Sequence, residues 1–212
     1  MTSADSGLLR ALSSGTSSTR LRAALAAGTH PHPDYLGTLI ERCAIEPDFF
    51  VRDMLTWALT RLPARDVTPR VLTELTSEVP QARSQALHTL SKIQERSVYP
   101  AITGALLHDA DDEVARAAWR AAAGLVPQDA AAALAAELVT ELGRGDRTVR
   151  MSLSRALAVL GDVIEPALRT AIDSDDPNVS EHARVTAILY EDPDTGFDAA
   201  VAEARGAALA DR

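Results

Sequence analysis

Three stretches carry residue types that could do chemistry. His30-Pro31-His32-Pro33 sets two imidazoles close together, as a metal site could. No other His or Cys lies nearby, so the stretch reads as a rigid, solvated connector. His108-Asp109-Ala110-Asp111-Asp112-Glu113 has the carboxylate density of a calcium loop. It lacks the spacing, the Gly and the terminal Glu of an EF-hand, and it falls where a turn and a helix N-cap belong. Asp173-Ser174-Asp175-Asp176 reads the same way. Arg144-Gly145-Asp146 matches a cell-adhesion tripeptide. With no export signal in the chain the match is coincidental: Gly143 and Gly145 close one helix and Asp146 opens the next. There is no Gly-rich phosphate loop, no His-Glu-x-x-His and no Gly-x-Ser-x-Gly elbow. The sequence therefore nominates no catalytic residue, no metal ligand and no cofactor.

Composition narrows the function classes. The chain has 212 residues, 46% hydrophobic and 24% charged, which fits a globular protein rather than a disordered one. Only 4% is aromatic, so the core must pack helices closely through Ala, Leu and Val. The net charge of −9 repels phosphate backbones, so a nucleic-acid function would need a local basic patch. Lys92 is the only Lys among 21 basic residues, which fits a high-GC coding bias. The one cysteine, Cys43, excludes an internal disulfide and a thiolate zinc cage, and reads as a small buried hydrophobe. Met1 to Gly15 lacks a basic segment followed by a long apolar one. No apolar run approaches the roughly 20 residues of a membrane span. A soluble, cytoplasmic protein is expected.

The elements are helices throughout. Residues 1–33 read as N-terminal capping helices: a short one around Leu8-Leu9-Arg10-Ala11-Leu12, then Thr19 to Ala27, stopped by Gly28 as a C-cap. Residues 34–190 alternate between two kinds of helix. The first kind often carries Pro in its opening turn, as in the stretches around Pro69, Pro100 and Pro166. Asp34 to Ile45 and Asp129 to Leu142 hold the equivalent place. The second kind repeats a signature, clearest in Asp146 to Gly161. Its copies begin at Val51, Ala82, Val114, Val149 and Val179, at offsets of 31, 32, 35 and 30 residues by subtraction. Counted from each start, positions 0, 4, 7 and 8 form one small or aliphatic stripe of helical period. Asp48, Asp111, Asp146 and Asp176 stand three residues before the start and can cap the helix. The second copy has Val79 there and must use Ser77 or Pro80. Gly124, Gly143 and Gly161 are expected at helix ends. Residues 191–212 read as a C-terminal capping helix over the last apolar face.

Helical pairs of about 31 residues with Asp before Val-Arg resemble the HEAT repeat, in the compact form of bacterial proteins related to phycobilisome lyase subunits. Val-Arg is intact at Val51-Arg52 and Val149-Arg150, altered at Ala82-Arg83, shifted at Val114-Ala115-Arg116 and broken at Val179-Ser180. Pro47 to Leu59 is similar to HEAT-repeat proteins of high-GC Gram-positive bacteria. The resemblance implies an all-α, right-handed α-α superhelix: five helical pairs with caps, forming one domain over residues 1–212. It also implies a non-enzymatic protein-binding scaffold, monomeric and without a membrane role.

In such solenoids the second helices line the concave face. At about 100° per residue, positions 2 and 6 point away from the buried stripe. These are Asp53 and Trp57, Ser84 and His88, Arg116 and Arg120, Met151 and Arg155, Glu181 and Val185. Trp57, His88, Arg116, Arg120 and Arg155 are the candidate partner-binding track, suited to an acidic peptide or helix. The alternative is an ordinary solvated helix face. Arg52, Arg83 and Arg150 are assigned to ladders with the capping Asp residues. Trp119, at position 5, is expected at the edge of its Ala-rich repeat. The competing function is nucleic-acid binding, in transcription or in the manner of HEAT-like DNA glycosylases, which Trp57 beside Asp53 echoes.

Overall fold

The computed structural model describes residues 3–210, with side chains over 7–206. All regular structure among them is helical, as expected. The chain divides into two compact units, residues 1–95 and 96–212. The first holds α1 (Ser3–Leu12) and α2 (Ser17–Thr29), then the pairs α3 (Leu36–Ile45) with α4 (Phe49–Thr60) and α5 (Ala64–Glu74) with α6 (Pro80–Ile93). The second holds three pairs and a final helix. The pairs are α7 (Gly104–Leu107) with α8 (Asp112–Leu125), α9 (Ala131–Leu138) with α10 (Arg147–Val159), and α11 (Glu165–Ile172) with α12 (Pro177–Glu191). The final helix is α13 (Phe197–Ala210). Five pairs between terminal helices match the repeat count read from the signature.

The first helices of the second unit are broken. Short 3-10 turns at Arg96–Ala101, Gln128–Ala130, Val139–Glu141 and Gly161–Ile164 replace part of each. Pro100 lies in the first of these, and Pro166 opens α11. Pro69 departs from the expected place, because α5 begins at Ala64 and carries it inside.

The predicted stripe is buried in the first four copies: Val51, Leu55, Ala58 and Leu59, for example, are each 1% exposed or less. In the fifth, Val179 and Ala187 are half-buried. The stripe is also wider than expected. Position 5 is buried at Thr56, Leu87, Trp119 and Ser154. Trp119 is therefore not an edge residue. It is fully enclosed, its Nε1 donates to the Leu107 carbonyl at 2.8 Å, and the Arg144 guanidinium lies 5.8 Å from its ring centre.

Two glycines serve other ends than the expected C-caps. Gly124 lies within α8. Gly28 lies within α2, where the Trp57 ring rests on it and leaves no room for a side chain: a Cβ there would stand 2.2 Å from the ring. Gly143 and Gly161 do take the left-handed conformation, at φ +86° and +73°.

The turns inside the pairs are held by two devices. Asp48, Asp111 and Asp146 each accept two backbone N–H bonds at the start of the following helix, and Asp176 accepts one. These are the orphan donors of a helix N-terminus. Where Val79 replaces Asp, the Ser77 hydroxyl accepts from the Val79 N–H and Pro80 needs no partner at N1. Arg52 and Arg150 do not ladder with these carboxylates, and all three signature arginines bind backbone. They reach back to backbone carbonyls of the preceding turn: Arg52 to Glu46 and Pro47, Arg83 to Ser77, Arg150 to Gly143 and Gly145. Those carbonyls lie in the turn just past the first helix, outside any helical ladder. A guanidinium carries five N–H donors and can satisfy two such carbonyls at once, as Arg52 and Arg150 do.

Glu46 ties the first unit together and has no signature in the sequence. It is fully buried and accepts a forked pair from Arg20 of α2, both at 2.7 Å, and a third bond from Arg42 at 2.8 Å. The Asp48 N–H adds a fourth. Burial raises its pKa, but the two guanidinium groups and the backbone N–H outweigh burial and hold it down to about 2. Glu46→Gln would leave the buried Arg20 and the half-buried Arg42 without their shared charge partner. The expected loss is about 3–5 kcal/mol of stability in the first unit, read as a lowered urea midpoint. A change under about 0.5 kcal/mol would contradict this account.

Candidate functional site

Of the five candidate residues, the structure gathers Arg116, Arg120 and Arg155 into one groove of the second unit. Arg116 and Arg120 stand on α8 and Arg155 on α10. The groove has a volume of about 340 Å³, and Ala123, Thr148, Met151 and Val159 complete its floor and rim. The Asp111 and Asp146 caps fix where α8 and α10 begin, and so set the register of the three arginines.

The three differ in how far they are already committed. Arg116 pairs with Glu113 one turn back, while its buried Nε finds no acceptor. Arg120 and Arg155 are exposed, and neither makes a hydrogen bond or ion pair with another described residue. Arg120 reaches solvent from a concave place crowded with protein atoms. That partial desolvation lowers its pKa first, and the neighbouring Arg116 lowers it further. A guanidinium stays charged regardless, so the groove holds positive charge that an anionic ligand would relieve. Val159, 65% exposed, gives the same groove an apolar lip.

Trp57 and His88 lie in the first unit. Trp57 is 37% exposed with its ring set against Gly28, so one side is not available for stacking. His88 is half-buried, its Nε2 3.9 Å from Asp53 Oδ1. Ser84 and Val185, on the same predicted face, are buried. Ser84 turns its hydroxyl to the Gln81 carbonyl, and Val185 is covered by α13.

One buried polar cluster was not foreseen. His182 and Ser154 lie 3.1 Å apart, the spacing of a nucleophile and its base. The protons are wrongly placed for that. The Gly143 N–H donates to His182 Nδ1, so Nε2 carries the ring proton. That proton points to the Arg150 carbonyl at 3.0 Å and to Ser154 Oγ, so Nε2 cannot take a proton from the serine. Ser154 and Thr186 close the network onto the His182 carbonyl. The cluster joins α10 to α12 across two repeats, and neither Ser154 nor His182 falls on the stripe read from the sequence. The acidic stretches are structural: Asp109 and Asp111 accept backbone N–H bonds, and His108 bridges Glu137 and Glu141. No group of three or more potential metal ligands is found among the described residues. No helix among them is long and apolar enough to cross a membrane.

Residues 39–123 match the HEAT repeats family. No curated protein matches the chain. Among solved structures, an engineered protein is 20% identical with a TM-score of 0.49, covering 90% of this chain and 97% of that one. The CpcE–CpcF complex of phycocyanin lyase from Nostoc sp. is 20% identical with a TM-score of 0.47, covering 84% of this chain and 74% of that one.

Burial lowers the His182 pKa to about 4, with the Arg150 charge adding to it. The unfolded chain binds a proton near pH 6.5, while the folded one resists it down to about pH 4. Stability tied to His182 is therefore present above pH 6.5 and falls as pH drops toward 4. Relative to His182→Gln, the wild-type advantage is expected to shrink by about 3 kcal/mol between pH 7 and 4 in urea unfolding. An advantage that stays constant would show that the ring is not held neutral.

Proposed function

We propose that this chain, a HEAT-like helical repeat protein, is a non-enzymatic scaffold that binds an acidic protein segment in the groove of Arg116, Arg120 and Arg155. The observation that carries the reading is local. In a chain of net charge −9, two exposed guanidinium groups, Arg120 and Arg155, face one groove without a partner of their own. The repeats preform that surface, so a partner meets it without a large ordering cost. An intracellular protein acting as a monomer fits this role, with Trp57 and His88 as additional contacts on the first unit.

The nucleic-acid reading shares the positive groove, but none of the residues lining that groove is aromatic, so it offers no base a stacking surface. The test is capture from nuclease-treated lysate of the native host, with wild type beside Arg120→Glu combined with Arg155→Glu. A protein partner is expected with wild type and reduced about tenfold or more with the variant, which corresponds to about 1.4 kcal/mol. Equal recovery on both would refute the groove. Binding of a short duplex or single-stranded oligonucleotide that weakens steeply with salt would favour the competing class.

A further inference from the structure

The C-terminal helix shows how this protein covers its own groove surface. Positions 2, 6 and 10 of α12 are Glu181, Val185 and Leu189, the counterparts of Met151, Arg155 and Val159 on α10. α13 lies on that row. Val185 is buried together with Phe197, Ala200 and Ala204, a helical spacing along α13, and Leu189 and Met151 pack against the cluster. Charge pairs fix it at two points. Arg205 of α13 forks onto Glu181, and Asp198 of α13 receives a fork from Arg147 of α10, with its shorter contact at 2.6 Å. The row on α12 is thus occupied by an amphipathic helix with small residues inward and charges at its flanks.

One repeat earlier the same surface is open. Arg120, Arg155 and Val159 are exposed, and the groove between α8 and α10 has no covering element of this unit. A second concavity of about 530 Å³ borders Arg155 and Val159 on the other side, toward Pro193–Phe197 at the entry of α13. Its floor includes Met151 and Leu189, so an apolar path continues from the open groove toward the resident helix.

We infer that the α8–α10 groove takes an amphipathic α-helix of a partner protein, laid beside α13 and in the same manner. Its inward stripe carries Ala or Leu against Ala123, Met151 and Val159. Two carboxylates one turn apart on its flank meet Arg120 and Arg155. Side chains three or four apart share a helix face, so a single turn presents both the acid pair and the apolar contact. Small inward residues let the backbones approach as closely as Ala200 and Ala204 do on α12. This inference rests on the reading of the groove as a protein-binding site and adds the conformation and chemistry of the occupant.

The test is selection from a display library of random peptides about 16 residues long, enough for roughly 24 Å of helix, on the full chain. Selected peptides are expected to carry Asp or Glu at i and i+4 and Ala or Leu at i+3 or i+7. Each is expected to bind Arg120→Glu or Arg155→Glu about tenfold more weakly, and to lose as much when Pro is placed mid-peptide. Circular dichroism confirms that both variants remain helical. Peptides sensitive to the arginines but rich in Pro, or without helical spacing, would overturn the helical occupant and leave the groove standing as a partner site. Peptides resembling Phe197–Ala210 would identify a second copy of this chain as the occupant and overturn a separate partner. Peptides indifferent to both arginines, or no selected peptide at all, would overturn the inference and the groove together.

Discussion

Each helical pair must turn the chain back within a few residues, and each turn strands backbone donors and acceptors that water alone would have to satisfy. The protein answers with a two-part clamp. An Asp accepts the first N–H groups of the second helix, and an Arg inside that helix reaches back to carbonyls of the turn between the two. Asp146 with Arg150 and Asp48 with Arg52 show both halves. The clamp fixes where the second helix begins. That start sets which residues enter the core and which face outward. The surface arginines have a defined position only because the capping residues do.

The clamp also sorts polar residues by role. Arg52, Arg83 and Arg150 bind backbone carbonyls, and Arg20 and Arg42 are committed to the buried carboxylate of Glu46. Arg144 is held by Asp112 and Glu141 over Trp119. An acidic chain with most of its inner arginines engaged in this way has few to offer a ligand. Among the described residues Arg22, Arg61, Arg70 and Arg96 are exposed and unpaired too; what sets Arg120 and Arg155 apart is that they share one groove.

Much of this was legible in the sequence because it is periodic. Asp48, Asp111, Asp146 and Asp176 recur at a fixed distance from an aliphatic stripe, and capping is a local interaction that spacing alone can reveal. What was not legible depends on contacts distant in sequence. Glu46 joins Arg20 across 26 residues, and His182 meets Gly143 across 39. Nothing near either residue marks it as buried. The role of Gly28 depended on where the Trp57 ring comes to rest. Trp119 is enclosed, not at the margin, because position 5 packs between repeats: its Nε1 donates to Leu107 of its own pair and Arg144 of the next lies over its ring. Arg116, Arg120 and Arg155 were read onto one face from periodicity, and the structure gathers them. The same rule failed at Val185, because α13 supplies a cover that no period predicts.

The central claim is that a protein occupies the groove between α8 and α10. The most direct measurement places a photo-crosslinking amino acid at Val159, on the lip of that groove, and a matched one at Arg169, exposed on α11. Both chains are irradiated in the native host. The account predicts a discrete protein adduct from position 159 that is absent from position 169 and lost when Arg120 and Arg155 are both changed to Glu. Adducts to nucleic acid, or the same adducts from both positions, would contradict it.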